Sequence, residues 1–115
     1  MLLDSFSALE LFKNTIFGVV KKGGEDLSNR QMAVLMTVYL EEPPHTVKAL
    51  STNLKVSKPA ITRAIDKLSD MGFLKRKVDE KDNRNVLLQR TVKGSIYLRE
   101  FGDLIVKNAK DIKKS

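Results

Sequence analysis

Residues 56–68 read VSKPAITRAIDKL, and the assignment of the whole chain turns on them. Ser57 is a good helix N-cap because its hydroxyl can accept a backbone N–H of the first turn. Pro59 falls in that turn, where a missing N–H costs little. Ala60, Ile61, Ala64, Ile65, Leu68 and Met71 then recur at helical spacing, which predicts a helix with one apolar face. Lys58, Thr62, Arg63, Asp66 and Lys67 are left on the other face. Pro59 and Ala60 keep the N-terminal end slim. A slim helix end with a positive dipole fits the DNA major groove and can meet a phosphate at its N–H groups. A solvated helix face carries the same residue types, so the flanking segments have to decide.

Upstream, Thr46 can cap a short helix, VKALSTNL (47–54), with Val47, Leu50 and Leu54 on one side. The break Lys55-Val56-Ser57 then joins a short helix to a longer capped one, which is a helix-turn-helix. Taken alone, the two helices also fit an ordinary αα-hairpin. Downstream, Gly72 closes the helix, and FLKRKV (73–78) and NVLLQR (85–90) read as short strands around the polar turn DEKDNR (79–84). A basic hairpin directly after the second helix describes a wing, whose loop reaches an adjacent minor groove with Arg84. Lys75, Arg76, Lys77 and Lys81, taken singly, read as solvated strand and turn residues. The combination favours DNA binding.

Further out, SFSALELFKNTIFGVVKK (5–22) places Phe6, Leu9, Phe12, Ile16, Val19 and Val20 at helical spacing, with Phe17 widening the stripe, and Gly23-Gly24 ends it. Ser28 and Gln31 form a capping box before MAVLMTVYL (32–40), which Glu41-Glu42-Pro43-Pro44 stops. Thr91 caps a last helix whose buried side uses Ile96, Tyr97, Phe101, Leu104 and Ile105. The basic tail KNAKDIKKS (107–115) is expected to fray. The expected fold is mainly α with a small β-hairpin wing, in one domain spanning 1–115. Its core is a winged helix-turn-helix over 27–91, flanked by helices at 1–22 and 92–112. Apolar helices at both ends suit a partner subunit, so a homodimer is expected.

The bulk numbers agree with a small folded binding protein. Of 115 residues, 42% are hydrophobic and 30% charged, which suits one domain with a modest core. Residues 1–54 carry five Lys+Arg against six Asp+Glu, residues 55–90 ten against five, and residues 91–115 six against three. The positive excess is therefore centred on the segment that includes the capped helix, which points to a polyanionic partner. Zero cysteines excludes a disulfide framework and a thiol switch. His45, the single histidine, reads as a solvated turn residue, and no metal site or cofactor is expected. Gly23-Gly24 is too weak for a phosphate loop, and Tyr39 and the methionines read as core, so no catalytic residue is assigned and the chain reads as a non-enzyme. No apolar run reaches the length of a membrane span, and MLLDSF lacks a signal-peptide pattern, so a cytoplasmic protein is expected.

The run LSTNLKVSKPAITRAIDKLSDMGFLKRKVDEKDNRNVLLQRTVKG (50–94) resembles the winged-helix core of the multiple-antibiotic-resistance regulator (MarR) family of bacterial transcription factors. Its most specific piece is Asp79, Asp82 and Arg84, followed by Thr91 and Gly94. LSNRQMAVL (27–35) resembles the family's second helix. The resemblance implies a homodimer whose first and last helices pack across a two-fold axis. Carried over by position, Ser57, Lys58, Pro59, Thr62 and Arg63 face DNA from the recognition helix and Arg84 from the wing. Asp79 and Asp82 orient the wing, Asp82 by pairing with a basic neighbour. The sequence departs from the family at Arg90, where a hydrophobic residue is usual. It also ends at Ser115, which implies a shortened C-terminal dimerisation region resting on the N-terminal helix and residues 95–112. The inter-helix cleft where some members hold small phenolic ligands is then reduced or absent, and sensing of a small-molecule effector is not carried over.

The functional expectation is a dimeric regulator reading a pseudo-palindromic operator in double-stranded DNA. Arg63 and Thr62 would meet base edges. Lys55, Lys58 and the wing lysines, Lys81 among them, would supply phosphate contacts, and Ser57, Pro59, Lys67, Arg76 and Arg84 complete the surface. Phe6, Leu9, Phe12, Ile16, Tyr97, Phe101, Leu104 and Ile105 would form the dimer contact. The alternative is a winged helix used as a protein-interaction module. Operator sequence, target genes, and repression as against activation are not written in the residues.

Overall fold

The structure is a computed structural model that describes residues 3–112. In chain order its elements are α1 (Ser5–Lys21), α2 (Asn29–Leu40), α3 (Val47–Leu54), α4 (Lys58–Asp70), β1 (Leu74–Val78), β2 (Val86–Arg90) and α5 (Val92–Asp111). Each of these is where the capping and periodicity place it. The described chain divides into two compact units, Leu27–Tyr97 and the segments on either side of it.

In the unit Leu27–Tyr97, local chemistry fixes each helix start. Ser28 and Gln31 bond reciprocally, side chain to backbone, at 2.9 and 3.1 Å, the expected capping box. Thr46 accepts from the Ala49 N–H at 3.1 Å and Ser57 from that of Ala60 at 3.3 Å. Between them, Lys55 takes a left-handed conformation at φ 56°. The turn is closed by the Val56 N–H on the Ser51 carbonyl at 3.1 Å and by the Ser51 hydroxyl on the Val56 carbonyl at 2.5 Å. Gly72, at φ +78°, ends α4 as only glycine does without strain.

The core of this unit is the apolar faces of α2, α3 and α4 closed by the hairpin. Val34, Leu35 and Val38, Leu50, and Ile61, Ile65 and Leu68 are all at most 2% exposed, and Phe73, Leu74 and Leu88 join them. Burying each such side chain contributes about 1.5–3 kcal/mol. β1 and β2 pair antiparallel from Leu74↔Arg90 to Val78↔Val86. The Leu88 N–H also bonds the His45 carbonyl at 2.9 Å, which ties β2 to the α2–α3 connection.

Two joints in this unit were not read from the sequence. The Tyr39 hydroxyl accepts from the Thr91 N–H at 2.9 Å and reaches the Phe73 carbonyl at 2.8 Å, while the Thr91 hydroxyl donates to the Gly72 carbonyl at 2.7 Å. A Cβ on Gly94 would overlap the Tyr39 hydroxyl and the Phe73 carbonyl, so the start of α5 needs a glycine there. The second joint is Arg90. Strand β2 continues through it, and its guanidinium donates to the Val38 carbonyl at 2.9 Å and the Glu41 carbonyl at 3.3 Å. Both carbonyls lie at the C-terminal end of α2, where a cation is favourable. His45 is not solvated as expected: it is 6% exposed, and its Nε2 lies 3.2 Å from the Glu41 carbonyl, to which it donates.

The other unit pairs α1 with the C-terminal part of α5 in antiparallel register. Lys22 meets Glu100 at 3.5 Å, a Cβ on Gly18 would touch Leu104 at 3.2 Å, and Asn108 Nδ2 donates to Thr15 Oγ1 at 3.3 Å. Successive contacts one helical turn apart on each helix keep the register. Thr15 satisfies its buried hydroxyl by donating to the Leu11 carbonyl at 2.9 Å. Two expectations for α5 are corrected. Ile96 and Ile105 are exposed rather than buried, because the packed side is carried by Leu104 and Asn108 in this unit and by Tyr97, stacked on Phe73, in the other. The expected fraying does not begin at Lys107: the helix runs to Asp111 and Ile112 is buried. Residues 113–115 of that tail, and residues 1–2, lie outside the described part.

Candidate nucleic-acid interface

The interface candidate lies wholly within the unit Leu27–Tyr97. The two faces of α4 separate as the periodicity requires. Ala60, Ile61, Ala64, Ile65 and Leu68 are buried, whereas Ser57, Lys58, Pro59, Thr62, Arg63, Asp66 and Lys67 are exposed. At four-residue steps Lys58, Thr62 and Asp66 form one ridge and Pro59, Arg63 and Lys67 the next. The first two turns therefore present a cation, a hydroxyl and a guanidinium on one side of the helix. Lys55, in the turn, is exposed too.

The wing is organised by its acidic residues. The Asp79 N–H bonds the Asn85 carbonyl at 3.0 Å, and the Asn85 N–H bonds the Asp82 carbonyl at 2.9 Å. Two turns of the Asx type follow one another, the Asp79 carboxylate accepting from the Lys81 N–H at 2.9 Å and that of Asp82 from the Arg84 N–H at 3.1 Å. Arg84 then folds its guanidinium onto the same Asp82 carboxylate, with Nε at 3.0 Å and Nη2 at 3.2 Å. The Arg84 side chain is still 90% exposed. Its bonds to Asp82, side chain first and backbone second, hold that carboxyl below the usual aspartate range.

Arg76 is not a free surface cation. Its guanidinium pairs with Asp66 on α4 and reaches the Ser69 hydroxyl at 3.4 Å, so it joins the hairpin to α4. Asp66 had been read only as one outward residue among several; a lone acid on a basic face, ten residues before an arginine and across a glycine turn, was the available signal. The charge also lies elsewhere than on the helix alone. Lys75, Arg76 and Lys77 make β1 the most basic element, while the loop 79–84 carries three acids and two bases. The residues placed at the dimer contact divide as well. Phe6, Leu9, Phe12, Ile16 and Ile105 are exposed, Phe101 is half-buried, Tyr97 stacks on Phe73 at 4.6 Å, and Leu104 seats against Gly18.

Among the described residues, no cluster of three or more His, Cys, Asp or Glu could hold a metal ion. Among them, no helix is long and apolar enough to cross a membrane.

Comparison with known proteins bears directly on this unit. The chain matches the model of the MarR family over residues 27–86. It is similar to the HTH-type transcriptional regulator YkoM of Bacillus subtilis (strain 168), 37% identical over 68 residues, which cover 59% of this chain and 44% of the relative. The crystal structure of a MarR transcriptional regulator from Methanosarcina mazei Go1 superposes with a TM-score of 0.62 at 31% identity, covering 73% of this chain and 60% of that one. The S. aureus MepR–DNA complex shares the fold, with a TM-score of 0.73 at 18% identity over 84% of this chain and 77% of that one. The matched part thus spans less than two thirds of YkoM and of the M. mazei regulator.

Proposed function

This chain belongs to the MarR family, and on that premise we propose that it is a homodimeric, sequence-specific DNA-binding transcriptional regulator. The observation that carries the reading is the exposed outer face of the first two turns of α4. Ser57, Lys58, Thr62 and Arg63 stand in water while the opposite face of the same helix is sealed into the core. A helix held from behind and polar in front inserts into the major groove as a rigid body. The similarity to a chain solved on DNA supports the same reading.

In this reading Arg63 and Thr62 contact base edges, and Lys55, Lys58, Lys67 and Lys81 contact phosphates. Arg84 enters the minor groove, with its guanidinium presented at a fixed angle by Asp82 and the Asp79 turn. Arg76 contributes by holding hairpin and helix together. Dimerisation uses the outer side of α1, through Phe6, Leu9, Phe12 and Ile16, with Phe101 and Ile105 of α5, while Leu104 supports that surface from within its own unit. Two recognition helices in a two-fold dimer read half-sites about 10 bp apart, centre to centre.

The test is fluorescence anisotropy on a selected operator and on random duplex, across a salt series. Arg63→Ala should lower affinity for the operator by about 1–3 kcal/mol and leave random duplex nearly unchanged. Lys58→Ala should weaken both alike. Log affinity should fall with log salt by about 0.9 for each phosphate contacted. Equal losses on both duplexes for Arg63→Ala would remove the base-reading role, and salt-independent binding would favour a protein-interaction module instead.

A further inference from the structure

One acid stands on the polar face of α4, next to the arginine proposed to meet base edges. Arg63, Asp66 and Ser69 follow at three-residue steps, so each neighbours the next on the helix surface. Arg63 and Asp66 are therefore within reach of each other, yet they do not pair. Arg63 is exposed with no hydrogen-bonding or ionic partner among the described residues, and the Asp66 carboxylate is held by Arg76 of β1. We propose that Arg76 is a positioning residue for Arg63. By occupying Asp66 it keeps the neighbouring guanidinium open to a base edge, and it thereby governs sequence preference without itself touching a base. This role rests on the DNA-binding reading and assigns it one more residue.

Arg76 spans Asp66 and Ser69, with Nη1 3.4 Å from the Ser69 hydroxyl, so it engages the carboxylate from the side of the ridge away from Arg63. Its place is fixed from outside the helix. Leu74, two residues earlier on the same strand face, is 2% exposed, and Arg76 is the register partner of the buried Leu88. Lys75 and Lys77 project from the other face of the strand and cannot take its place. On α4, Lys67 stands about 100° round the helix from Asp66. Without Arg76, the cation left to Asp66 one turn away is Arg63. In water an exposed pair at this spacing shifts an equilibrium only about twofold. The penalty grows at the DNA surface, because the guanidinium must give up its partner as water is excluded and the released carboxylate faces phosphates.

Operator and random-duplex affinities are measured by fluorescence anisotropy for wild type, Arg76→Gln, Asp66→Asn and the double variant. Arg76→Gln should lower the operator-to-random affinity ratio by about three- to tenfold, Asp66→Asn should keep the wild-type ratio, and the double variant should recover it. The Arg76 and Asp66 side chains are 41% and 57% exposed, so all of these proteins should unfold at the same urea concentration. A strut that only joins hairpin to helix would give equal losses in the two single variants and no recovery. A phosphate contact would leave the ratio unchanged in Arg76→Gln, and either result overturns the proposal. A second measurement needs no DNA. Solvent exchange of the Arg63 Nε–H, followed by NMR, should slow at least about twofold in Arg76→Gln and return to the wild-type rate in the double variant. Unchanged exchange in Arg76→Gln overturns the proposal whatever the protein binds. Slowed exchange in Arg76→Gln, with a wild type that does not discriminate operator from random duplex, upholds the competition for Asp66 and overturns the DNA-binding reading instead.

Discussion

In the unit Leu27–Tyr97 every helix gives its apolar face to a neighbour, and Leu35, Leu50, Ile61 and Leu68 are sealed. In the other unit, α1 is apolar on two sides. Thr15 and Gly18 face α5, whereas away from that side Phe6 is 83% and Phe12 60% exposed. With about 3.6 residues per turn these two rows cannot share one neighbour. An apolar stripe therefore states that a face has to be covered and not what covers it. In one unit the chain itself supplies the cover. In the other, the proposed reading assigns it to a second copy.

The largest effect separating the two cases is a cavity in the sealed core. Leu68→Ala should destabilise the unit Leu27–Tyr97 by about 2–5 kcal/mol, since neighbours on α2 and β1 cannot collapse fully into the space. Urea unfolding followed by circular dichroism measures this. Leu9→Ala, on the uncovered side of α1, should change little in dilute solution where the chain is monomeric. A comparable loss at that dilution would mean that Leu9 is covered within one chain, and the contrast between the units would fail.

The next effect acts on the uncovered face only when it is occupied. Phe12→Ala should weaken self-association by about 2 kcal/mol, roughly thirtyfold in dissociation constant, through lost burial of the ring. Sedimentation equilibrium over a concentration series checks it. A chain that stays monomeric at high micromolar concentration would leave the exposed Phe6, Leu9 and Phe12 row without its proposed partner.

The same contrast marks what the residues alone could tell. Helix boundaries were legible because they rest on short-range chemistry, such as the Ser28–Gln31 box and the Thr46 and Ser57 caps. The buried face of α4 was legible from spacing. His45 and Arg90 were not, because the carbonyls that hold them, that of Glu41 for both and that of Val38 for Arg90, are brought to them only by the fold. Here the Val38 and Glu41 carbonyls lie 52 and 49 residues from Arg90 in the chain. The exposure of Ile96 and Ile105 was missed for the same reason: α5 has more apolar residues than one neighbour can cover. For the candidate interface, the outward residues of α4 were readable, while the Asp66–Arg76 link needed the fold of the hairpin.

A smaller effect tests the polar joint inside the sealed unit. Tyr39→Phe keeps the ring but removes the hydroxyl shared by Thr91 and the Phe73 carbonyl. Leaving those backbone groups unpaired should cost about 1–3 kcal/mol in thermal or urea unfolding. No loss would show that packing alone sets the start of α5.

The smallest expected effect lies at the wing, the least enclosed part of the same unit. Asp82→Asn keeps a side-chain acceptor for the Arg84 N–H and removes only the charge that holds the guanidinium. Unfolding of the core should be unchanged, while amide exchange at Arg84 and Asn85 should speed up. The wild type should reach the same state on acidification. Its Asp82 carboxyl is held below the usual aspartate range by Arg84, so the ionised form is favoured in the fold. That contribution is present at neutral pH and is lost as the pH falls through the lowered pKa, below about pH 4. If the wing amides of Asp82→Asn exchange no faster than wild type at neutral pH, the turn backbone alone orders the loop. Arg84 would then swing freely, and the fixed angle proposed for its entry into the minor groove would have no support.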